Sequence, residues 1–474
     1  MYMRNIAQRP KSCKPILPSA KKARRIAALA ALVVLVNCWA NPSSVVAAEA
    51  ANPQAWTAEN LDELVGLYKE LHQAPELSLH EEKTAARLAD ELRAVGATVT
   101  TGVGGHGVVG VLENGDGKVL LLRTDMDALP VAEQTGLPYA SKVRTTDARG
   151  ATVGVMHACG HDLHMTNLIG VARYLASHRD AWSGTVVFIG QPAEELGAGA
   201  QAMLNDGLFA RFPRPDFAVA LHVAAEVPTG QVEYRPGYAL ANVDSVDITV
   251  KGRGGHGASP ESTIDPIVIA AKLVLDLQTI VSREVKPIHP AVVTVGSIQG
   301  GTKHNIISDE CRLQLTLRSH TPQVRKQLQD AVRRKALAAA ASAGAPEPEI
   351  RISEGTPAMF NDPDLTARVA KTLKRVLGDD NVLEGEPAMG GEDFGRYSLA
   401  GVPICMFKLG VVNQERLAEF AAQKIPPPSL HSPIFYPDPA ESLRASVPAM
   451  SEVAVDLLSR ENDAPASNHA PAEE

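Results

Sequence analysis

Apolar positions along the chain follow two periodicities in turn, and together they predict alternating helices and strands. Apolar residues recur at helical spacing over residues 61–71 and 81–95. Short, nearly continuous apolar runs at residues 118–123, 185–189 and 217–221 are typical of strands buried in a sheet. Strands that alternate with helices indicate an α/β fold whose mixed, mostly parallel sheet is flanked by helices.

The pattern changes after residue 242, where the order becomes β-α-β-β-α-β. The predicted elements are strand 245–251, helix 265–282, strands 291–299 and 311–319, helix 321–341 and strand 349–353. This order is that of a ferredoxin-like unit, so we expect residues 243–354 to form an inserted second domain. The strand at 245–251 alternates apolar and polar residues, and we expect it to offer a free edge for pairing.

The first domain, at residues 51–242, is expected to resume at residues 355–460. The elements predicted there are helix 364–377, strand 402–408 and helix 440–458. Residues 461–474 are rich in alanine, proline and acidic residues, and this composition predicts a disordered tail.

The first fifty residues have the composition of an export signal. Residues 1–25 carry eight basic residues and no acidic one, residues 26–36 are apolar, and Ala48-Glu49-Ala50 offers a cleavage site. The apolar run is too short to span a bilayer comfortably. We therefore expect residues 1–50 to be a cleaved signal peptide, and the mature protein to be periplasmic or secreted without a stable membrane span. A lipoprotein is disfavoured because asparagine precedes Cys38.

Composition narrows the classes of function. The 474 residues carry a formal net charge of −8 and no basic stripe, which argues against nucleic-acid binding. Only Cys159, Cys311 and Cys405 lie beyond the predicted signal peptide, and an odd, widely spaced set is no disulfide framework. A lone cysteine beside histidines is then better explained as a metal ligand.

Residues 156–164, with the sequence MHACGHDLH, concentrate three histidines, a cysteine and an aspartate. Glycine separates Cys159 from His161 and lets the backbone turn, so that a thiolate and an imidazole can face one cation. The alternative is a polar helix start, with Asp162 as the cap and the histidines solvated.

Other candidate ligands follow the predicted strands, at the edge where open α/β sheets bind ligands. Asp125, Asp127, Glu194, Glu195 and His222 all have this position. The candidate metal ligands are Cys159, His161, Glu195, His222 and His431. Five ligands exceed the needs of one tetrahedral ion and suit two ions that share a bridge, about 3.5–4 Å apart. The mixed sulfur, nitrogen and oxygen donors favour zinc, manganese, cobalt or nickel over magnesium or calcium.

Two further motifs can be interpreted either as functional or as ordinary surface structure. Adjacent side chains cannot easily reach one atom, so one of Glu194 and Glu195 can hold metal while the other is a general base. The alternative is two solvated acids in a loop. His256 lies in the glycine-rich sequence GRGGHG, which permits close approach to a ligand but also fits a flexible hairpin.

Eight ordered motifs resemble a known family. RTDMDALP, MHACGHD, QPAEE, Leu221-His222, GRGGHGASP, HNIISD, GGEDF and LHSP are similar to those of the dinuclear metallopeptidases and amidohydrolases. That family includes hippurate hydrolases, N-acyl-amino-acid amidohydrolases and plant indole-acetyl-amino-acid hydrolases. The resemblance runs from about residue 61 to residue 458 and implies a zinc-exopeptidase-like catalytic domain with an inserted lid that also forms a homodimer.

The resemblance also implies a role for each candidate. Glu194 matches the general base, and Asp127 matches the aspartate that orients a metal-bound histidine. His256 matches a lid histidine that steadies the oxyanion, usually from the partner subunit. Asn305 and Arg318 match lid residues that grip the substrate carboxylate. Two divalent cations per subunit are then held by Cys159, His161, Glu195, His222 and His431.

The expected activity is metal-dependent hydrolysis of the amide bond of an N-acyl amino acid or a dipeptide-like substrate. A metal-bound water would lose its proton to Glu194 and attack the carbonyl. One alternative is a dinuclear aminopeptidase or dipeptidase, which needs an acidic grip on a free amine where this chain has Arg318. The other is a non-catalytic periplasmic metal- or solute-binding protein, which needs no second glutamate beside a ligand.

Overall fold

The computed structural model describes residues 52–147 and 149–459. The predicted signal peptide and the predicted tail lie outside these residues. The helices are α1 (Pro53–Gln73), α2 (Glu82–Ala94), α3 (His161–Ser177), α4 (Gly199–Asn205), α5 (Leu208–Arg211), α6 (Pro266–Thr279), α7 (Pro322–Ser342), α8 (Pro363–Leu377), α9 (Gly395–Leu399), α10 (Gln414–Gln423) and α11 (Pro439–Leu457). Among the described residues, none of the helices is both long and apolar enough to cross a membrane.

Within residues 52–147 and 149–459, the strands form two large sheets and three short pairs. The strands of the first half are β1 (Thr98–Val103), β2 (Gly107–Asn114), β3 (Val119–Asp125), β4 (Arg144–Thr146), β5 (Thr152–Gly154), β6 (Gly184–Gln191), β7 (Phe217–Pro228), β8 (Val232–Tyr234) and β9 (Gly237–Leu240). Those of the second half are β10 (Asn242–Lys251), β11 (Gly255–His256), β12 (Ala291–Gly300), β13 (Ile306–Ile307), β14 (Glu310–Ser319), β15 (Glu349–Glu354), β16 (Met359–Asn361), β17 (Val382–Glu384) and β18 (Ile404–Val412).

The eight-stranded sheet confirms the predicted mixed α/β architecture. Its order is β1-β2-β6-β3-β7-β18-β8-β17, and β6, β3, β7 and β18 run parallel in its centre. The central strands are apolar almost throughout because both faces of the sheet are covered. Buried side chains form one core cluster that includes residues of α1, α3 and α11 and a second cluster that includes residues of α4 and α9.

The second large sheet confirms the ferredoxin-like unit. Its order is β12-β14-β10-β15, all antiparallel, and its core includes buried residues of α6 and α7. Both helices start with proline behind a capping side chain: Asp265 accepts hydrogen bonds from the first turn of α6, and Thr321 does so for α7. The chain enters and leaves this sheet at one point, where the backbone of Val243 exchanges hydrogen bonds with Gly355 and Thr356 (3.0 and 3.1 Å).

One expectation about this sheet is wrong. β10 offers no free edge, because it pairs with β14 on one side and with β15 on the other. Its alternation arises from the two faces of the sheet, since one face packs on the helices. The edges of the sheet are β12 and β15.

Candidate metal centre and active site

The five candidate metal ligands come from four separate parts of the chain and meet at one place. Cys159 and His161 stand at the start of α3, and Glu195 follows the end of β6. His431 lies in the loop before α11. His222 differs from expectation: it lies within β7, which continues to Pro228, and not beyond the end of the strand.

The donor atoms face one another at short distances. The sulfur of Cys159 is 3.6 Å from Nε2 of His222, and Oε1 of Glu195 is 3.5 Å from Nε2 of His431 and 3.9 Å from Nε2 of His161. Ligands around a tetrahedral zinc are separated by roughly 3.3–3.8 Å, given bond lengths of about 2.0–2.3 Å. The five predicted ligands are therefore brought together at metal-binding spacing.

Two of these donor atoms are buried and without a hydrogen-bond partner among the described residues. They are Nε2 of His161 and Oε1 of Glu195. A buried polar atom without a partner is costly, and a cation between the two atoms would satisfy both. Burial also raises the pKa of the Cys159 thiol, so a nearby cation is needed to hold the sulfur as thiolate. The residues present thus fit a metal site.

The backbone around the donors is held in unusual conformations. Gly160 has φ of 77°, and a Cβ there would lie 2.7 Å from Cγ2 of Val223, which confirms the need for glycine between Cys159 and His161. Ala193, just before the glutamate pair, and His431 also have positive φ, 50° and 68°. Such strain in non-glycine residues typically collects at functional sites.

Asp127 fixes the orientation of its neighbours. Nδ1 of His161 lies 2.7 Å from the backbone oxygen of Asp127, and donation there leaves Nε2 free for a cation. The Asp127 carboxylate accepts hydrogen bonds from the backbone N–H groups of Glu194 (3.2 Å) and Glu195 (3.0 Å) and from Ser78 (2.6 Å). Asp127 thus connects a candidate ligand to the glutamate pair.

Glu194 is a buried carboxyl group beside the donors. Only 8% of the residue is exposed, and Oε2 lies 3.9 Å from Nε2 of His161. Burial, then the charges of Glu392 and Glu195, hold the pKa of Glu194 well above its usual range. Burial also raises the pKa of Glu195, to about 7. A carboxylate whose pKa is raised in this way takes up a proton more readily than a solvated one, as a general base must.

A buried charge network behind the donors was not predicted. Arg123 binds Asp125 (2.7 Å), Glu392 (2.7 Å) and Asp393 (3.4 Å), and so links two of the sequence motifs. Asp125 in turn lies 2.7 Å from Nδ1 of His164, as expected for an acid at this edge of the sheet.

His164 shows why the polar-helix-start alternative is wrong. His157, His161 and His164 are buried and not solvated. Asp162 is buried too and pairs with His72 (2.6 Å), and Gly160 occupies the cap position of α3. Nε2 of His164 accepts a hydrogen bond from the backbone N–H of Val223 (3.0 Å), next to His222. In the sequence, the only sign that His164 supports the site was the density of polar residues in MHACGHDLH.

The three lid residues have different positions. Arg318 lines a cavity of about 690 Å³ and donates a hydrogen bond to the backbone oxygen of Met389 (2.8 Å). The same cavity is lined by Glu194 and by four of the five candidate ligands, Cys159, Glu195, His222 and His431. His256 and Asn305 are exposed beside the short β11–β13 pair and are not among the residues that line this cavity. A single chain therefore does not bring His256 or Asn305 to the donors, and action from a partner subunit stays a prediction.

The fold and the site define a class of protein, a metal-dependent hydrolase with a lid sheet over its cavity. The sequence pattern of peptidase family M20/M25/M40 matches residues 121–431. The chain belongs to this family of metallopeptidases and amidohydrolases, which confirms the resemblance found in the motifs.

Individual relatives agree with this assignment. The chain is 39% identical over 338 residues to the putative amidohydrolase YhaA of Bacillus subtilis, a match that covers 71% of this chain and 82% of the relative. It is 38% identical over 365 residues to N-acetyldiaminopimelate deacetylase of Priestia megaterium, covering 75% and 91%. The crystal structure of Bacillus subtilis YXEP, a dinuclear metal-binding peptidase of the M20 family, is 30% identical with a TM-score of 0.69, covering 85% and 99%.

Proposed function

We propose that this protein hydrolyses the amide bond of N-acyl amino acids with the help of two divalent cations per subunit. The observation that carries the proposal is the position of Glu194, whose pKa is raised, in the same cavity as Arg318 and four of the candidate metal ligands. The name of the related N-acetyldiaminopimelate deacetylase supports the same class of substrate.

Each group of residues in the site has a separate role in this reaction. Cys159, His161, Glu195, His222 and His431 would hold the cations. When bound, the cations polarise the scissile carbonyl and lower the pKa of water at the site. Glu194 accepts the proton of the attacking water and passes it to the leaving amine. Arg318 forms a charge-assisted pair with the free carboxylate of the substrate, and Asp127 keeps His161 oriented.

The donor chemistry supports zinc, manganese, cobalt or nickel as the cation, because it combines a thiolate, imidazoles and a carboxylate. Protein reconstituted with each of the four metals in turn should be assayed for hydrolysis of a panel of N-acyl amino acids. Hydrolysis that needs metal and a free substrate carboxylate is the expected result. Metal binding without hydrolysis of any compound would favour the non-catalytic binding protein instead.

A dipeptidase is the second candidate, and the cavity supplies an observation in its favour. Glu226, Glu233 and Glu386 line the cavity in addition to the glutamate pair, so an acidic grip on a free amine is available. Dipeptides and their N-acetylated forms, compared in the same panel, separate the two candidates. Preference for the free amine would favour the dipeptidase.

Export and dimerisation are further parts of the proposal. The order of basic, apolar and small residues over residues 1–50 supports a cleaved signal, and protein from the native host should begin near Ala51. The exposed position of His256 supports a homodimer through the lid, in which this histidine reaches the partner's site. An intact Met1 on the mature protein would contradict export.

A further inference from the structure

Strand β18 carries one charged residue within an apolar run. The eight other residues of the strand are buried, whereas the side chain of Lys408 is 33% exposed. A lysine within a sheet loses solvation, and an apolar side chain would pack better at that position. The stability of the sheet therefore does not account for Lys408.

The register of the sheet shows where Lys408 points. Lys408 pairs with His222 of β7 on one side and with Glu233 of β8 on the other. Side chains in register on neighbouring strands lie on the same face, about 5 Å apart. His222, Lys408 and Glu233 thus form a row that starts at a candidate metal ligand, and all three line the cavity.

The two charges of this row are close but do not saturate each other. Nζ of Lys408 lies 3.6 Å from Oε2 of Glu233, beyond hydrogen-bond length, and the Glu233 side chain is 26% exposed. Both head groups keep hydrogen-bonding capacity toward the cavity. A charged ligand group would be attracted by one of the two and repelled by the other. A neutral group with both a donor and an acceptor, such as a carboxamide, satisfies both.

The position of the pair indicates which half of the substrate it meets. Arg318 is on the lid side of the cavity, whereas Lys408 and Glu233 are on the eight-stranded sheet. The two halves of an amide leave its carbonyl in opposite directions. If Arg318 holds the carboxylate of the amine half, the acyl half extends over β18 and β8.

We propose that Lys408 and Glu233 form a subsite for a neutral hydrogen-bonding group on the acyl half of the substrate. The enzyme then takes peptide-like acyl groups, with an amide a few atoms from the scissile carbonyl, in preference to hydrocarbon ones. This inference rests on the proposed function and names the substrate class of that same site.

Three acyl groups of equal size test the subsite on one amino acid: succinamoyl, 4-methylpentanoyl and succinyl, which end in a carboxamide, an isopropyl group and a carboxylate. The kcat/KM for the carboxamide should exceed that for the isopropyl compound by roughly tenfold or more, because a hydrogen bond to a charged group typically strengthens binding by about this factor. The carboxylate compound should fall between them. In Lys408→Met and in Glu233→Met this ratio should fall, because each variant removes one of the two hydrogen-bond partners of the carboxamide.

Using the ratio cancels any general loss of activity in a variant, and melting curves report whether each variant folds. Lys118→Met is the matched control, because Lys118 and Asp216 form a similar pair (3.8 Å) whose residues are not among those that line the cavity. Its ratio should equal that of the unmodified protein.

Three results would overturn the subsite. They are a ratio near one in the unmodified protein, an unchanged ratio in both cavity variants, and a carboxylate preference that only Lys408→Met removes. The N-acetyl derivative of the same amino acid tests the proposed function separately. If no compound is hydrolysed, that function fails, and calorimetric binding of the three compounds to metal-loaded Glu194→Gln protein still decides the subsite.

Discussion

Replacing Glu194 and Glu195 one at a time separates proton transfer from metal binding. Glutamine has nearly the size of glutamate, so Glu194→Gln changes proton affinity with little change in packing. Both glutamates line the cavity, but Oε1 of Glu195 contacts two other candidate ligands, at 3.5 Å from Nε2 of His431 and 3.9 Å from Nε2 of His161. We therefore expect Glu194→Gln to keep its metal and lose turnover, and Glu195→Gln to lose metal first.

The magnitude follows from the environment of Glu194. A positioned general base contributes roughly 10²–10⁴-fold, and burial raises the pKa of this carboxyl group, which makes it a stronger base than a solvated carboxylate. An amide cannot take the proton, so kcat of Glu194→Gln should fall by roughly 10²–10⁴-fold. This corresponds to about 2.7–5.5 kcal/mol of transition-state stabilisation.

The assay combines elemental analysis of dialysed protein with steady-state kinetics on one N-acyl amino acid. Glu226→Gln is the control, because Glu226 also lines the cavity but is exposed. It should keep its metal and lose far less turnover than Glu194→Gln. If Glu194→Gln loses metal while Glu195→Gln keeps it, the assigned roles are reversed.

Three other predictions concern recognition, assembly and pH. Arg318→Ala should weaken binding of acyl-amino acids by about 1.5–3 kcal/mol and binding of their carboxamides much less; equal losses in inhibition constants would make Arg318 structural. Mixing His256→Ala with Glu194→Gln subunits should restore about a quarter of full activity by statistical exchange if His256 acts across a dimer, and verified heterodimers without activity would exclude that arrangement. Burial alone would lower the pKa of His72, but hydrogen bonds with Asp162 and Glu133 raise it to about 10. Because the folded-state pKa exceeds the unfolded value of about 6.5, this stabilisation is complete below pH 6.5 and lost as pH rises toward 10. Between these two pH values, the free energy of unfolding in urea should therefore fall less for His72→Gln than for the unmodified protein. If both proteins lose the same amount, His72 does not carry the assigned charge.

The sequence predicted the elements whose signal is local. Helices such as α1 and α7 have a long apolar periodicity, and the ferredoxin-like order needs only the succession of elements. β1 and β2 escaped prediction because residues 98–114 are rich in glycine and threonine, which blurs the strand pattern. The full length of β7 was also missed, because the polar His222 interrupts its apolar run.

Contacts between distant segments were beyond sequence reasoning. Arg123 and Glu392 are 269 positions apart, and no spacing rule brings them together. Glu195 and His222 were found because strand ends share one edge of a sheet, and Cys159 and His161 because they lie in one dense motif; neither argument says anything of distances. The placement of His256 and Asn305 away from the cavity likewise depends on tertiary structure, and it matters for what a single subunit can do.

The single crossing point at Val243, Gly355 and Thr356 has a consequence for how such a protein is assembled from parts. Because the entering and leaving strands hydrogen-bond to each other there, a link of one or two residues spans the gap, given about 3.3–3.6 Å per residue. The eight-stranded sheet takes none of its strands from the segment between. The lid segment is thus a continuous insertion whose two ends leave the rest of the chain side by side.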